Sequence, residues 1–185
     1  MSWSLFKTNI KRRWDRPDTI NNIDEVAELW ANEYDSAIKR GRDSMHFITI
    51  QKGQKSQMQN LFKLALTMGR LSSSRSFNLV NEFGKGVVMY WTGATLQLAP
   101  IPVIPATGAI QNIAAVANNV TLPGTWTPVP PVPPVSTTDV FIDTFITAAT
   151  IHLTTVQGMV NTVSLYPGAP PVPGPGIVPW VGYTV

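Results

Sequence analysis

From Gly86 to Val185, one hundred residues carry only two formal charges, Asp139 and Asp143. All fourteen Lys and Arg lie between Lys7 and Lys85, with nine of the eleven acidic residues, so the first part carries +5 and the second −2. Soluble domains normally devote about a quarter of their residues to charge. A stretch this long with almost none predicts a surface covered by an assembly, a surface that meets lipid, or a tendency to aggregate. Fifteen of the sixteen prolines share that half, between Pro100 and Pro179. Proline removes backbone donors and excludes both helix interiors and central strands. The chain therefore divides near residue 95, into a charged helical module (1–95) and a charge-poor, proline-rich assembly region (96–185).

The predicted fold is mainly α in the first half, with helices near 2–14, 20–40, 56–71 and 76–92. The second half is predicted to be Pro/Gly/Thr-rich and largely extended, with one helix near 139–157 and irregular or β segments around it. In the first helix Trp3, Phe6, Ile10 and Trp14 repeat at spacings of three and four among Lys7, Lys11, Arg12 and Arg13, an amphipathic basic pattern stopped by Pro17. Such a stripe serves either an anionic surface or packing on its own domain or a neighbour. The second helix is the most legible. Asn22 with Glu25 resembles a capping box, Asp24, Glu25 and Glu28 sit at its start, and Lys39 and Arg40 at its end, as the helix dipole favours. Gly41 is expected to terminate it in a left-handed conformation. The apolar run around Ile48 predicts a brief strand. Met58, Leu61, Phe62, Ala65 and Met68 stripe the third helix, and Val80, Phe83, Gly84, Val87 and Trp91 the fourth, where Gly84 and Gly86 suit close helix contact.

Beyond Gly93 the pattern changes. AIQNIAAVANN (109–119) reads as a short helix or an extended piece. In TTDVFIDTFITAATIHLTTVQG, Phe141, Phe145, Ala148, Ala149, His152 and Val156 fall at helical spacing with Asp139 as expected N-cap, although the threonines favour strand. TWTPVPPVPPV (125–135) has five prolines and no charge. PxxP spacings such as Pro130 to Pro133 and Pro131 to Pro134 suit polyproline II grooves, but no cation flanks them. Its valines replace the polar residues of a free linker. A stiff apolar strap, extended and covered by neighbouring chains, is the remaining expectation.

Catalytic signals are sparse. There is no nucleophile elbow, zinc-protease, P-loop or dinucleotide motif, and no cysteine, hence neither disulfide nor thiolate metal site. His46 and His152 are the only histidines. His152, on an apolar helix face, is expected to be a hydrogen-bonded core residue. Asp139 and Asp143, one turn apart, are too few oxygens for a cation site. KRRWDR (11–16) is diluted by the acidic residues after it, which favours salt bridges over nucleic acid. The N-terminal sequence lacks a signal-peptide pattern and no window suits a transmembrane helix. These residues predict no enzyme, no cofactor and no metal.

VVMYWTGATL (87–96), followed by a charge-free half that closes in PGPGIVPWVGYTV, resembles small structural proteins of tailed bacteriophage virions, particularly contractile-tailed ones. The resemblance implies a virion component of a tail, baseplate or neck, made in the host cytoplasm. Its implied partners are other virion proteins and copies of itself in a symmetric assembly, with no small-molecule substrate. Residues expected to bind those partners are Trp3, Phe6 and Trp14 on the first helix, Trp126, Pro130, Pro131, Pro133 and Pro134 on the strap, and Trp180 and Tyr183 near the end. The alternative is a membrane-active protein whose Trp-rich basic helix binds anionic lipid while the apolar half inserts.

Overall fold

A computed structural model describes residues 2–14, 22–42, 48–72, 77–98, 101–103, 111–113, 117–120, 122–132, 138–158, 162–165, 176–179 and 182–185. The protein is mainly helical. The five helices among these residues are α1 (Ser2–Trp14), α2 (Ile23–Lys39), α3 (Lys55–Leu71), α4 (Leu79–Trp91) and α5 (Thr138–Gly158). Asn22 caps α2 through its side chain, which accepts from Glu25 N–H at 3.2 Å. Asn78 does the same for α4, accepting from Asn81 N–H at 3.3 Å. Each satisfies one of the amides that a helix start leaves without a partner.

The threonines of α5 do not divert it into a strand. Thr144, Thr147, Thr150 and Thr154 each donate a hydroxyl hydrogen bond to the carbonyl four residues earlier, which accommodates them within the helix. Asp139 lies inside the first turn of α5 rather than capping it, because the helix already begins at Thr138. There it pairs with Lys11 at 2.7 Å and Lys7 at 3.5 Å, while Asp143 pairs with Lys7 at 2.8 Å. Lys11 draws the Asp139 carboxyl below its ordinary pKa, first through a hydrogen bond and then through its charge.

Among the described residues, seven short strands form three sheets. β1 (Ile48–Lys52), β2 (Thr95–Leu98) and β5 (Ala117–Asn119) make an antiparallel sheet with β2 central. β3 (Ile101–Val103) pairs with β4 (Gln111–Ile113), and β6 (Thr162–Leu165) with β7 (Gly176–Pro179), both antiparallel. Segment 109–119 thus supplies two strands, β4 and β5, rather than a helix. Pro102 and Pro179 sit in two-stranded ribbons, where every strand is an edge and a missing donor is tolerated.

Trp30 of α2 is the hub of the core. Rings of Phe6, Trp14, Phe83, Phe141 and Phe145 surround it at centroid distances of 5.1–5.8 Å, all steeply inclined to it. Edge-to-face pairs suit the aromatic quadrupole and add about 0.5–1.5 kcal/mol each beyond burial. These rings come from α1, α4 and α5, so the core crosses the compositional change at residue 95. Leu96, Val120, Ile142, Phe145, Leu153 and Val156 are buried in the same cluster as Trp30 and Phe62. Beside it lies a polar pair of contacts between α2 and α4: Tyr90 donates to Asp35 at 2.8 Å, and Trp91 Nε1 donates to the Tyr34 hydroxyl at 3.0 Å. Burial, and then the Asp35 charge, push the Tyr90 hydroxyl pKa up, so Tyr90 stays a donor.

Gly41 differs from its sequence expectation. α2 ends on Arg40 in ordinary right-handed geometry (φ −86°, ψ −9°), and Gly41 is not among the glycines with positive φ. Glycine is needed there for space: a Cβ would run into the Tyr183 ring and come within 2.8 Å of the Thr184 carbonyl.

Candidate functional site

Two segments without helical structure lie on the helical body, and each is gripped by a side-chain amide. The first is the strap, described from Leu122 to Val132. Its Trp126, Val129 and Val132 are partly buried against the core, while Thr125, Thr127, Pro128, Pro130 and Pro131 are exposed. The inward positions recur every third residue, the period of a polyproline II helix. The first turn of α4 holds it by the backbone. Asn81 Nδ2 donates to the Val129 carbonyl at 3.0 Å, and Asn81 Oδ1 accepts from Val129 N–H at 2.9 Å and from Trp126 Nε1 at 3.3 Å. Asn78 Nδ2 donates to the same carbonyl at 2.7 Å. Trp126 then lies flat over Gly84, where a Cβ would collide with the indole.

Upstream, the strap is tied to α5. Thr155 Oγ1 accepts from Thr125 N–H at 3.0 Å and donates to the His152 carbonyl at 2.7 Å. The His152 ring lies beneath, 5.9 Å from the Trp126 ring and fully buried. It is a core residue, as its position predicts, but neither ring nitrogen has a hydrogen-bond partner. Burial pushes its pKa down to about 4, opposed by the Pro123 carbonyl, which approaches without meeting hydrogen-bond geometry. The imidazole is therefore neutral at physiological pH.

The second segment is Gly182–Val185. Gln157, at the end of α5, clamps it: its Nε2 donates to the Tyr183 carbonyl at 3.1 Å and its Oε1 accepts from Tyr183 N–H at 2.7 Å. Arg42 and Thr184 exchange two backbone hydrogen bonds at 2.9 and 2.7 Å, an isolated antiparallel bridge. The Tyr183 ring passes over Gly41 and donates its hydroxyl hydrogen to the Ile38 carbonyl near the end of α2. Backbone pairing plus one side chain in a socket is the mode by which proteins read short extended peptides.

The described residues expected to meet partners fall into three groups. Phe6 and Tyr183 are buried at 1% and 4% exposure within the chain itself: the aromatic hub takes Phe6, and the slot beside the ends of α2 and α5 takes Tyr183. Trp3, Trp14 and Trp126 are half-buried against the chain's own core, so the apolar stripe of α1 faces inward. Arg13 of the basic segment pairs with Glu25 at 3.5 Å. Pro130 and Pro131 are exposed. The strap's inner edge is covered by α4 and α5 of the same chain. Pro133, Pro134, Trp180 and His46 lie outside the described residues. Sequence reading missed Asn78, Asn81 and Gln157, since amides carry no motif.

No group of three or more His, Asp or Glu suited to a metal occurs among the described residues, and no helix among them is long and apolar enough to cross a membrane. Comparison with family models, curated proteins and solved structures gives no match.

Proposed function

We propose that the chain is a non-enzymatic structural component of a tailed-phage virion that binds neighbouring subunits through its charge-poor half. The observation that carries this reading is where the two charges of that half go. Asp139 and Asp143 are both engaged by lysines of α1, so the formal charges of residues 86–185 are both compensated within the chain. Charge-poor surfaces belong to obligate interfaces, which resemble a domain core cut in half. A second apolar feature supports it. α3 leaves Leu64, Met68 and Leu71 exposed at 53, 44 and 80%, at the i, i+4, i+7 spacing of one helix face. The strap adds a rigid ridge of exposed prolines whose ordering entropy is already spent within the chain.

The lipid-binding alternative draws on the Trp-rich face of α1, which the chain uses for its own packing. Sedimentation of the purified full chain across a wide concentration range, together with mass spectrometry of purified virions, tests the proposal. Multimers in solution and stoichiometric presence in the particle are expected. A chain that stays monomeric and is absent from particles overturns it, and flotation with anionic vesicles would favour the alternative.

A further inference from the structure

We infer that the outward side of the strap, from Thr125 to Pro131, is a preformed polyproline II ligand for an uncharged, aromatic-lined groove on a partner protein. The inference rests on the assembly reading and names the chemistry of one partner surface. Three observations on the described strap carry it.

First, the inner edge is occupied and the outer edges are open. A helix of three residues per turn has three edges. Trp126, Val129 and Val132 form the edge packed on the core. Thr125, Pro128 and Pro131 form the second, Thr127 and Pro130 the third, and all five are exposed. Pro128 and Pro131 thus display a PxxP spacing outward, the spacing that proline-reading grooves accept.

Second, the exposed backbone calls for donors. Pro128, Pro130 and Pro131 have no N–H, and the Val129 N–H is already held by Asn81 at 2.9 Å. From Pro128 to Pro131 the ridge presents carbonyl acceptors and pyrrolidine rings, with no donor to spare. Its complement is a surface that stacks on those rings and donates hydrogen bonds, which Trp and Tyr side chains do together. Among the described residues of this chain, the exposed large apolar side chains are Leu, Met, Val and Ile. The partner is therefore a different protein.

Third, the ligand is already ordered. Asn78 and Asn81 both hold the Val129 carbonyl, at 2.7 and 3.0 Å, and Trp126 sits over Gly84. A free proline-rich peptide gives up conformational freedom on docking, and this one has done so within the chain. No charge lies between Leu122 and Thr138, and the Glu82–Lys85 pair of α4 closes on itself at 2.6 Å. The matching groove needs no acidic pocket, and docking is insensitive to salt.

The probe is an immobilised WW domain, whose groove has this aromatic lining, and the analyte is the full chain. Saturable binding is expected, changing less than about twofold between low and high salt. Pro128→Ala combined with Pro131→Ala leaves Trp126, Val129 and the amide grip in place. It should weaken binding by about tenfold or more at an unchanged melting temperature. If that variant fails to fold, Thr127→Arg keeps every proline and should block docking by placing a bulky cation on an outer edge. A synthetic peptide of residues 122–132 should bind about tenfold more weakly than the chain, because it must first order itself. No binding to the groove, undiminished binding by the variants, or a peptide as tight as the chain overturns the inference. Incorporation into particles that is indifferent to the double substitution also overturns it and leaves the assembly reading intact. Binding through Pro128 and Pro131 by a chain absent from particles refutes the assembly reading alone.

Discussion

His152 makes the stability of this fold acid-sensitive above the range where carboxylates titrate. Its ring is buried between α5 and the strap, with both nitrogens lacking partners, and burial lowers its pKa from 6.5 to about 4. The unfolded chain therefore binds a proton at this residue between those values while the folded chain does not. Stability from this group is fully present above about pH 6.5 and is lost as pH falls toward 4, amounting to roughly 3 kcal/mol over that span. The strap brings no charge to oppose or assist it, and the nearest charged pair on α4, Glu82 with Lys85, is self-contained at 2.6 Å. Urea unfolding at half-unit steps from pH 7.5 to 4 measures the slope. His152→Leu, which replaces an unsatisfied ring by an apolar side chain, should flatten the curve between pH 6.5 and 4.5. It should leave stability at pH 7.5 unchanged or raised. Proton NMR titration of the folded protein should show no His152 transition above about pH 5. Parallel pH curves for wild type and variant, or a His152 transition near 6.5, would refute the reasoning.

Other expectations follow from the clamps and the core. Asn81→Ala removes three hydrogen bonds to the strap and should cost about 2–3 kcal/mol in urea unfolding, with faster hydrogen exchange at the Val129 amide; unchanged exchange there would mean that Asn78 and the apolar edge suffice to hold the strap. Phe145→Ala takes a ring from the hub around Trp30 and should cost about 3–5 kcal/mol by the same assay. Gly86→Leu places atoms where Phe62 and the Met58 carbonyl already stand, at 2.7 and 3.3 Å from a Cβ, and should cost about 1–3 kcal/mol in urea unfolding through overpacking. Lys7→Ala combined with Lys11→Ala should destabilise the α1–α5 contact at low salt and have a smaller effect at high salt, because exposed ion pairs are screened.

The helices were legible because their information is local. Apolar spacing, the Asn22 cap and the charge order along α2 all lie within a few residues of one another, and the predicted and observed limits agree to within three residues at each end. What failed to show was determined by contacts far along the chain. Gly41 looks like a helix terminator from its neighbours, but its lack of a side chain answers to Tyr183, 142 residues away. Asn81 reads as a polar residue in a helix's first turn, and only the folded chain brings Val129 to it. Trp126 looked like an anchor for another protein because its flanking prolines hide the notch at Gly84 that receives it. The α1 stripe posed a different problem: amphipathicity shows that a face is buried without saying by whom, and here α2 and α5 bury it.

The strap's period of three also means that its sequence does not by itself define where along α4 it must sit. Val129 and Val132 present the same side chain one polyproline turn apart, and Val135 continues the series in sequence. A slip of one Val-Pro-Pro unit would offer Asn78 and Asn81 an equivalent backbone and an equivalent valine. Trp126 forbids it, since no second tryptophan lies one turn away to occupy the notch over Gly84. The indole thus acts as an index pin on an otherwise uniform rack. Insertion or loss of a Val-Pro-Pro unit beyond it should be tolerated, lengthening or shortening the reach to α5 without disturbing the seating.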